Sequence, residues 1–87
     1  MKFKALLNLK TEEEGGRHTP FFSGYKPKLS INGRLYLCEV VLPKDTEMMV
    51  PGSKGQVEIE IEGIALNNGV SFELMEGSHV TAAGSII

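Results

Sequence analysis

Apolar and polar residues alternate along most of this chain. In Lys2–Lys10, the side chains of Phe3, Ala5, Leu7 and Leu9 fall on one face, and Lys2, Lys4, Leu6, Asn8 and Lys10 on the other. Side chains of an extended strand point alternately to its two sides, so a period of two predicts a strand with one apolar face. Gln56–Glu62 repeats the pattern more cleanly, with Val57, Ile59 and Ile61 opposed to Gln56, Glu58, Glu60 and Glu62. Lys28–Ile31 and Arg34–Val41 predict two further strands; Val70–Glu76 and Val80–Ile87 complete a set of six. Arg34–Val41 has apolar residues on both faces (Leu35, Leu37 and Val41; Tyr36, Cys38 and Val40), which predicts a strand covered on both sides.

Turn chemistry separates these runs. Asn32-Gly33 joins two strand patterns and is a strong hairpin signal, because both central positions of a type I′ turn need positive φ. Pro43–Asp45 and Pro51-Gly52 bracket a short segment, Thr46–Val50, while Asn67-Asn68-Gly69 and Glu76-Gly77-Ser78 mark the last two turns. Thr11–Glu14 is too short for a helix and Gly15-Gly16 ends it. Six short strands without a helix predict an all-β barrel or sandwich, and at this size a closed six-stranded antiparallel β-barrel is favoured, because closure removes exposed sheet edges. Outward Lys2, Lys4 and Lys10 and outward Glu58, Glu60 and Glu62 predict that the first strand and the Gln56–Glu62 strand are neighbours, since opposite charges across strands stabilise.

The 87 residues fit one domain, residues 1–87. Hydrophobic content of 41% with 23% charged residues argues against disorder. A net charge of −2 provides no global basic field for nucleic acid. Cys38 is the only cysteine, so no intrachain disulfide forms; its apolar neighbours predict a buried structural thiol rather than a nucleophile. No leader peptide and no apolar run of membrane-spanning length is evident, and a soluble, cytoplasmic protein is expected.

Residues 12–27 break the alternation. Three glycines and two prolines exclude a regular helix or central strand, yet Phe21, Phe22 and Tyr25 give the loop apolar surface that something must cover. Such a loop is either packed as a compact lobe or used for binding. Phe21 or Phe22 then serves either as an apolar anchor for something bound or as a plug in one barrel end. Gly15-Gly16-Arg17 has the makings of an anion-binding concavity, but the plainer reading is a flexible turn with a solvated arginine. Lys26, Lys28 and Arg34, with Lys44, are candidate phosphate contacts, against which stands ordinary solvated charge.

No enzymatic constellation can be assembled. Asp45 is the only aspartate, His18 and His79 are far apart in sequence, and no nucleophile elbow is present. One cysteine and two histidines provide no zinc pair at ligand spacing. Gly52-Ser-Lys-Gly55 lacks the spacing and following helix of a phosphate-binding loop and reads as a plain turn. The expectation is a non-enzymatic protein with no cofactor, no metal and no bound nucleotide.

Glu14-Gly-Gly-Arg-His-Thr-Pro-Phe-Phe, followed by Gly24-Tyr-Lys-Pro, resembles the start of the C-terminal β-barrel domain (domain 3) of bacterial elongation factor Tu, where an EEGGRHTPF…GYRP run follows the first strand. The likeness continues in Leu42-Pro43 and Glu47-Met-Met-Val-Pro-Gly52, similar to the family's EMVMPG. It extends through Ile64-Ala-Leu with Asn67-Asn-Gly69-Val-Ser-Phe72, and through Glu76-Gly77 with Ala83-Gly84. It covers essentially the whole chain and implies a six-stranded barrel, either a stand-alone homologue or an excised piece, with Met1 just ahead of the first strand favouring the former.

In that family the domain touches the T stem of aminoacyl-tRNA, packs on the GTPase domain and contacts the exchange factor. The resemblance carries Glu76 and Gly77 over as RNA-contact candidates beside Lys26, Lys28 and Arg34. It departs elsewhere: Lys28 replaces a glutamine, Asn32–Cys38 replaces the polar RTTDVTG stretch, and Met75 and His79 replace the two arginines of REGGR. These changes remove polar and cationic reach from the tRNA face, whereas Arg17–Phe21 is the best-kept stretch, and the resemblance makes the lobe residues Arg17, His18, Thr19, Phe21, Phe22 and Tyr25 the candidate protein-contact residues. The expected function is a translation-factor-like binding module that contacts a protein partner through the Gly-rich aromatic loop; the alternative is a tRNA-binding barrel.

Overall fold

The computed structural model describes residues Met1–Ile87. Its strands are β1 (Lys2–Leu9), β2 (Phe21–Phe22), β3 (Lys28–Ile31), β4 (Arg34–Val41), β5 (Met48–Met49), β6 (Lys54–Ile61), β7 (Ser71–Glu76) and β8 (His79–Ile86). Six of them close into an antiparallel barrel in the order β1-β6-β4-β3-β7-β8, with β8 returning to β1. The predicted barrel is therefore present, with strand ends within about two residues of those read from the alternation. β2 and β5 form a separate two-stranded ribbon that pairs Phe21 with Met49 and Phe22 with Met48. No helix is long and apolar enough to cross a membrane.

The inward faces are those the period of two selects. Phe3, Ala5, Leu7 and Leu9 of β1 are buried with Val57, Ile59 and Ile61 of β6, and Leu29, Val40, Phe72 and Leu74 join them in one core. On the outside, Lys2 lies opposite Glu60 and Lys4 opposite Glu58, so the expected charge pairing of these neighbouring strands is realised. Only Lys2 and Glu60 approach as an ion pair, at 3.9 Å, and Lys10 lies beyond the end of β1. Asn32 and Gly33 have φ of 51° and 78°, the left-handed pair that the β3–β4 hairpin requires.

β4 departs from the expectation. Its two apolar faces predict cover on both sides, but only Cys38 and Val40 are buried, while Leu35 and Leu37 are 56% and 69% exposed. The barrel wall is a single sheet, so within Met1–Ile87 no element packs on the outer face of β4. Cys38 matches its reading as a buried thiol, donating to the Pro27 carbonyl at 3.3 Å.

Candidate functional site

The loop between β1 and β3 begins with a local lock. The Thr11 amide donates to the Glu14 carboxylate at 2.8 Å, and the Glu14 amide to the Thr11 hydroxyl at 3.2 Å. This is the reciprocal arrangement of a helix capping box, here closing one turn that Gly15 ends with φ of +90°. The hydrogen bond donated by the Thr11 backbone amide lowers the Glu14 carboxyl from its usual pKa. Gly16 then passes so close to the preceding strand that a Cβ there would sit 2.5 Å from the Lys10 carbonyl oxygen. Both glycine amides are used within this turn, donating to the carbonyls of Glu12 and Thr11, which leaves neither for an anion.

Arg17 is not solvated. Its guanidinium pairs with the Glu76 carboxylate, Nε donates to the Thr19 carbonyl at 3.1 Å, and the group lies 4.9 Å over the Tyr25 ring. Partial burial works against the charge, but the hydrogen bond and the field of Glu76 more than offset it and hold the Arg17 pKa above its usual value. Tyr25 donates its hydroxyl to the same carboxylate and lies 3.1 Å from the Thr81 hydroxyl. Burial and the contact with Glu76 push the Tyr25 phenol up to about 12.

Thr81 owes its position to an irregularity in pairing. Leu74 faces Ala82 but Met75 faces Val80, so Thr81 is the extra residue of a β-bulge. The bulge turns Thr81 inward, where it is buried beneath Tyr25 and also donates to the Leu74 carbonyl at 3.4 Å.

The two adjacent phenylalanines part company. Phe21 is 2% exposed and stacks on Tyr25, with ring centroids 4.4 Å apart and planes at 27°. Phe22, the next residue, is 54% exposed beside its ribbon partner Met48, with Val50 also exposed. The lobe is stitched to β4 by the Gly24 amide on the Val40 carbonyl (2.9 Å), the Val40 amide on the Tyr25 carbonyl (2.7 Å) and the Leu42 amide on the Ser23 hydroxyl (3.1 Å).

His18 and Thr19 are exposed at the rim, with His18 Nδ1 2.6 Å from a Glu12 carboxylate oxygen. A polar cleft of about 450 Å³ lies here, lined by Glu12, Arg17, His18, Glu76, His79 and Thr81 among others. The two histidines, distant in sequence, thus share one cleft. No group of three or more histidine, cysteine or acidic side chains is placed to hold a metal ion.

The RNA-contact candidates are spread out. Lys28 lies on the outer face between Leu37 of β4 and Met75 of β7. Arg34 pairs with Ile31 at the opposite end of β3, about 10 Å along the strand. Lys26 is exposed just before β3, and Gly77 makes the β7–β8 turn with φ of +60°. The Glu76 carboxylate is engaged by Arg17 and Tyr25, which joins residues that the sequence placed in two different candidate sets. Thr81, Met48 and Val50 were not anticipated. The apolar run Met48-Met49-Val50 between two turns is the one available signal for the last two.

The family model of the elongation factor Tu C-terminal domain matches residues 1–87. The chain belongs to that family. As an elongation factor Tu C-terminal domain it is a translation-factor-like module, and the domain is a non-catalytic β-barrel in the family. The closed six-stranded barrel agrees with that membership.

Proposed function

We propose that this elongation factor Tu C-terminal domain acts in the cytoplasm as a non-enzymatic docking module that seats Phe22 in an apolar pocket of a protein partner. The observation that carries this reading is the division of labour between neighbours: Phe21 is buried and holds the lobe, while Phe22 is presented beside exposed Met48 and Val50. An aromatic side chain ringed by smaller apolar groups is the usual composition of an interface anchor. The Arg17–Glu76–Tyr25 network fixes the lobe beforehand, so little conformational freedom is lost on docking. His18 and Thr19 supply the polar rim.

The test is a photoreactive phenylalanine analogue at position 22, irradiated in native lysate. A discrete protein adduct is expected, competed away by excess unlabelled wild type but not by folded Phe22→Ala. Absence of a discrete adduct, or equal competition by the variant, refutes the docking role. Recovery of RNA instead, retained at low salt and lost as salt rises, would move the function to Lys26, Lys28, Arg34, Glu76 and Gly77.

A further inference from the structure

The chain has four methionines, and their surroundings differ. Met49 is buried, with its methyl group against Gly55 of β6. Met75 is half-buried on β7, opposite Lys28 of β3. Met1 is exposed, but its sulfur accepts a hydrogen bond from the Leu66 amide at 3.2 Å. Met48 is 37% exposed, and its sulfur accepts none. We propose that Met48 is the oxidation site of this domain and that its sulfoxide releases a partner docked on Phe22. The release rests on the docking reading above; the site does not.

The step needs hydrogen peroxide as the oxidant. A lone pair of the Met48 sulfur attacks one peroxide oxygen, the O–O bond breaks, that oxygen stays on sulfur as the sulfoxide, and the other leaves as water. Sulfur loses two electrons and the peroxide gains them. A sulfur that reaches solvent with both lone pairs free is the best placed of the four to react. Thiol-dependent reductases return the sulfoxide to the thioether, so the change is reversible.

Position decides what the added oxygen does. Met48 and Phe22 are cross-strand partners in the β2–β5 ribbon, so their side chains stand on one face, about 5 Å apart at Cβ. The sulfoxide therefore falls inside the apolar surface that a pocket around Phe22 has to cover. Burying that polar oxygen without a donor should weaken docking by about tenfold or more. Met48 lies outside the core and Met49, the next residue, lies within it. Oxidation at 48 thus alters the surface and leaves the barrel folded.

Peptide mapping after graded peroxide tests the site on the whole chain. A gain of about 16 Da should appear on Met48 before Met1, Met75 or Met49, with the melting curve unchanged. In denaturing urea all four should react alike. The position-22 photo-crosslink in desalted lysate tests the release, with peroxide removed from the competitors by catalase. Oxidised wild type should compete about tenfold less well than untreated wild type, and methionine sulfoxide reductase with dithiothreitol should restore it. In Met48→Leu, peroxide should change competition by less than about twofold, whatever the starting value. Another methionine reacting first, undiminished competition by oxidised wild type, no recovery with the reductase, or an equal loss in Met48→Leu each overturns the proposal. If untreated protein forms no adduct, the docking reading fails and the release with it, while the mapping still decides the site.

Discussion

Arg17 and Glu76, 59 residues apart in sequence, meet as an ion pair that ties the aromatic lobe to the end of β7. The same carboxylate accepts from Tyr25, whose ring lies beneath the guanidinium. One side chain therefore orients two residues of the lobe. Glu76→Gln keeps the shape but replaces the negative charge with a neutral amide. A loss of about 1–2 kcal/mol is expected in urea unfolding, reflecting weakened hydrogen bonds to a charged group at a partly exposed site. The lobe should also become a faster tryptic target at Arg17. Unchanged stability and unchanged cleavage would mean that the pair orders nothing.

Alkaline pH should weaken the barrel through two buried groups. The Cys38 thiol, ordinarily near 9.0, is pushed by burial up to about 11, and the Tyr25 phenol from 10.0 up to about 12. Both groups are neutral in their favoured folded form. The stability they contribute is complete below their unfolded pKa values and is lost as pH rises through the folded ones. The urea midpoint is therefore expected to hold through neutrality and fall between about pH 9 and 12. Cys38→Ala should blunt the earlier part of the fall and Tyr25→Phe the later part. A midpoint that stays level to pH 12 would contradict the burial of both groups.

Gly84 is fixed by the ring beside it. A Cβ at this position would lie 2.6 Å from Phe72 Cζ and 2.8 Å from the Leu6 carbonyl oxygen. Phe72 has little room to yield, because it meets Phe3 edge-on at 6.1 Å and is itself buried. Gly84→Ala should cost about 2–3 kcal/mol through overpacking. Adding Phe72→Leu should recover at least about 1 kcal/mol relative to the sum of the single effects, as residues in direct contact do in a double-mutant cycle. Strict additivity would place the strain elsewhere.

The strands were legible because each has an inner and an outer face, and a period of two reports that directly. β1 beside β6 was legible too, since lysines and glutamates alternate on faces that have to meet. What failed was the inference of cover from composition. β4 carries apolar residues on both faces, but a barrel wall is one sheet thick, so Leu35 and Leu37 are on its outside. The cluster at Glu76 was illegible for another reason. It depends on a bulge that turns Thr81 inward and on a loop returning across the barrel end, and neither leaves a local periodicity. Gly15-Gly16 marked the turn correctly but not that Arg17 would spend its charge internally.

Phe21 and Phe22 look interchangeable in sequence and are not in the fold. Phe21 fills the space beside Tyr25 and Met49, whereas Phe22 points to water beside Met48. Phe21→Ala removes a fully buried ring and should cost about 3–5 kcal/mol, a large share of the stability of so small a barrel. Phe22→Ala removes an exposed one and should change stability by no more than about 0.5 kcal/mol. Paired urea titrations of the two variants decide the matter. Equal losses would mean that both rings plug the barrel end, leaving no side chain free to anchor a partner. A large loss at 21 with none at 22 leaves Phe22 without a structural reason to be aromatic, which is the condition that a docking residue must meet.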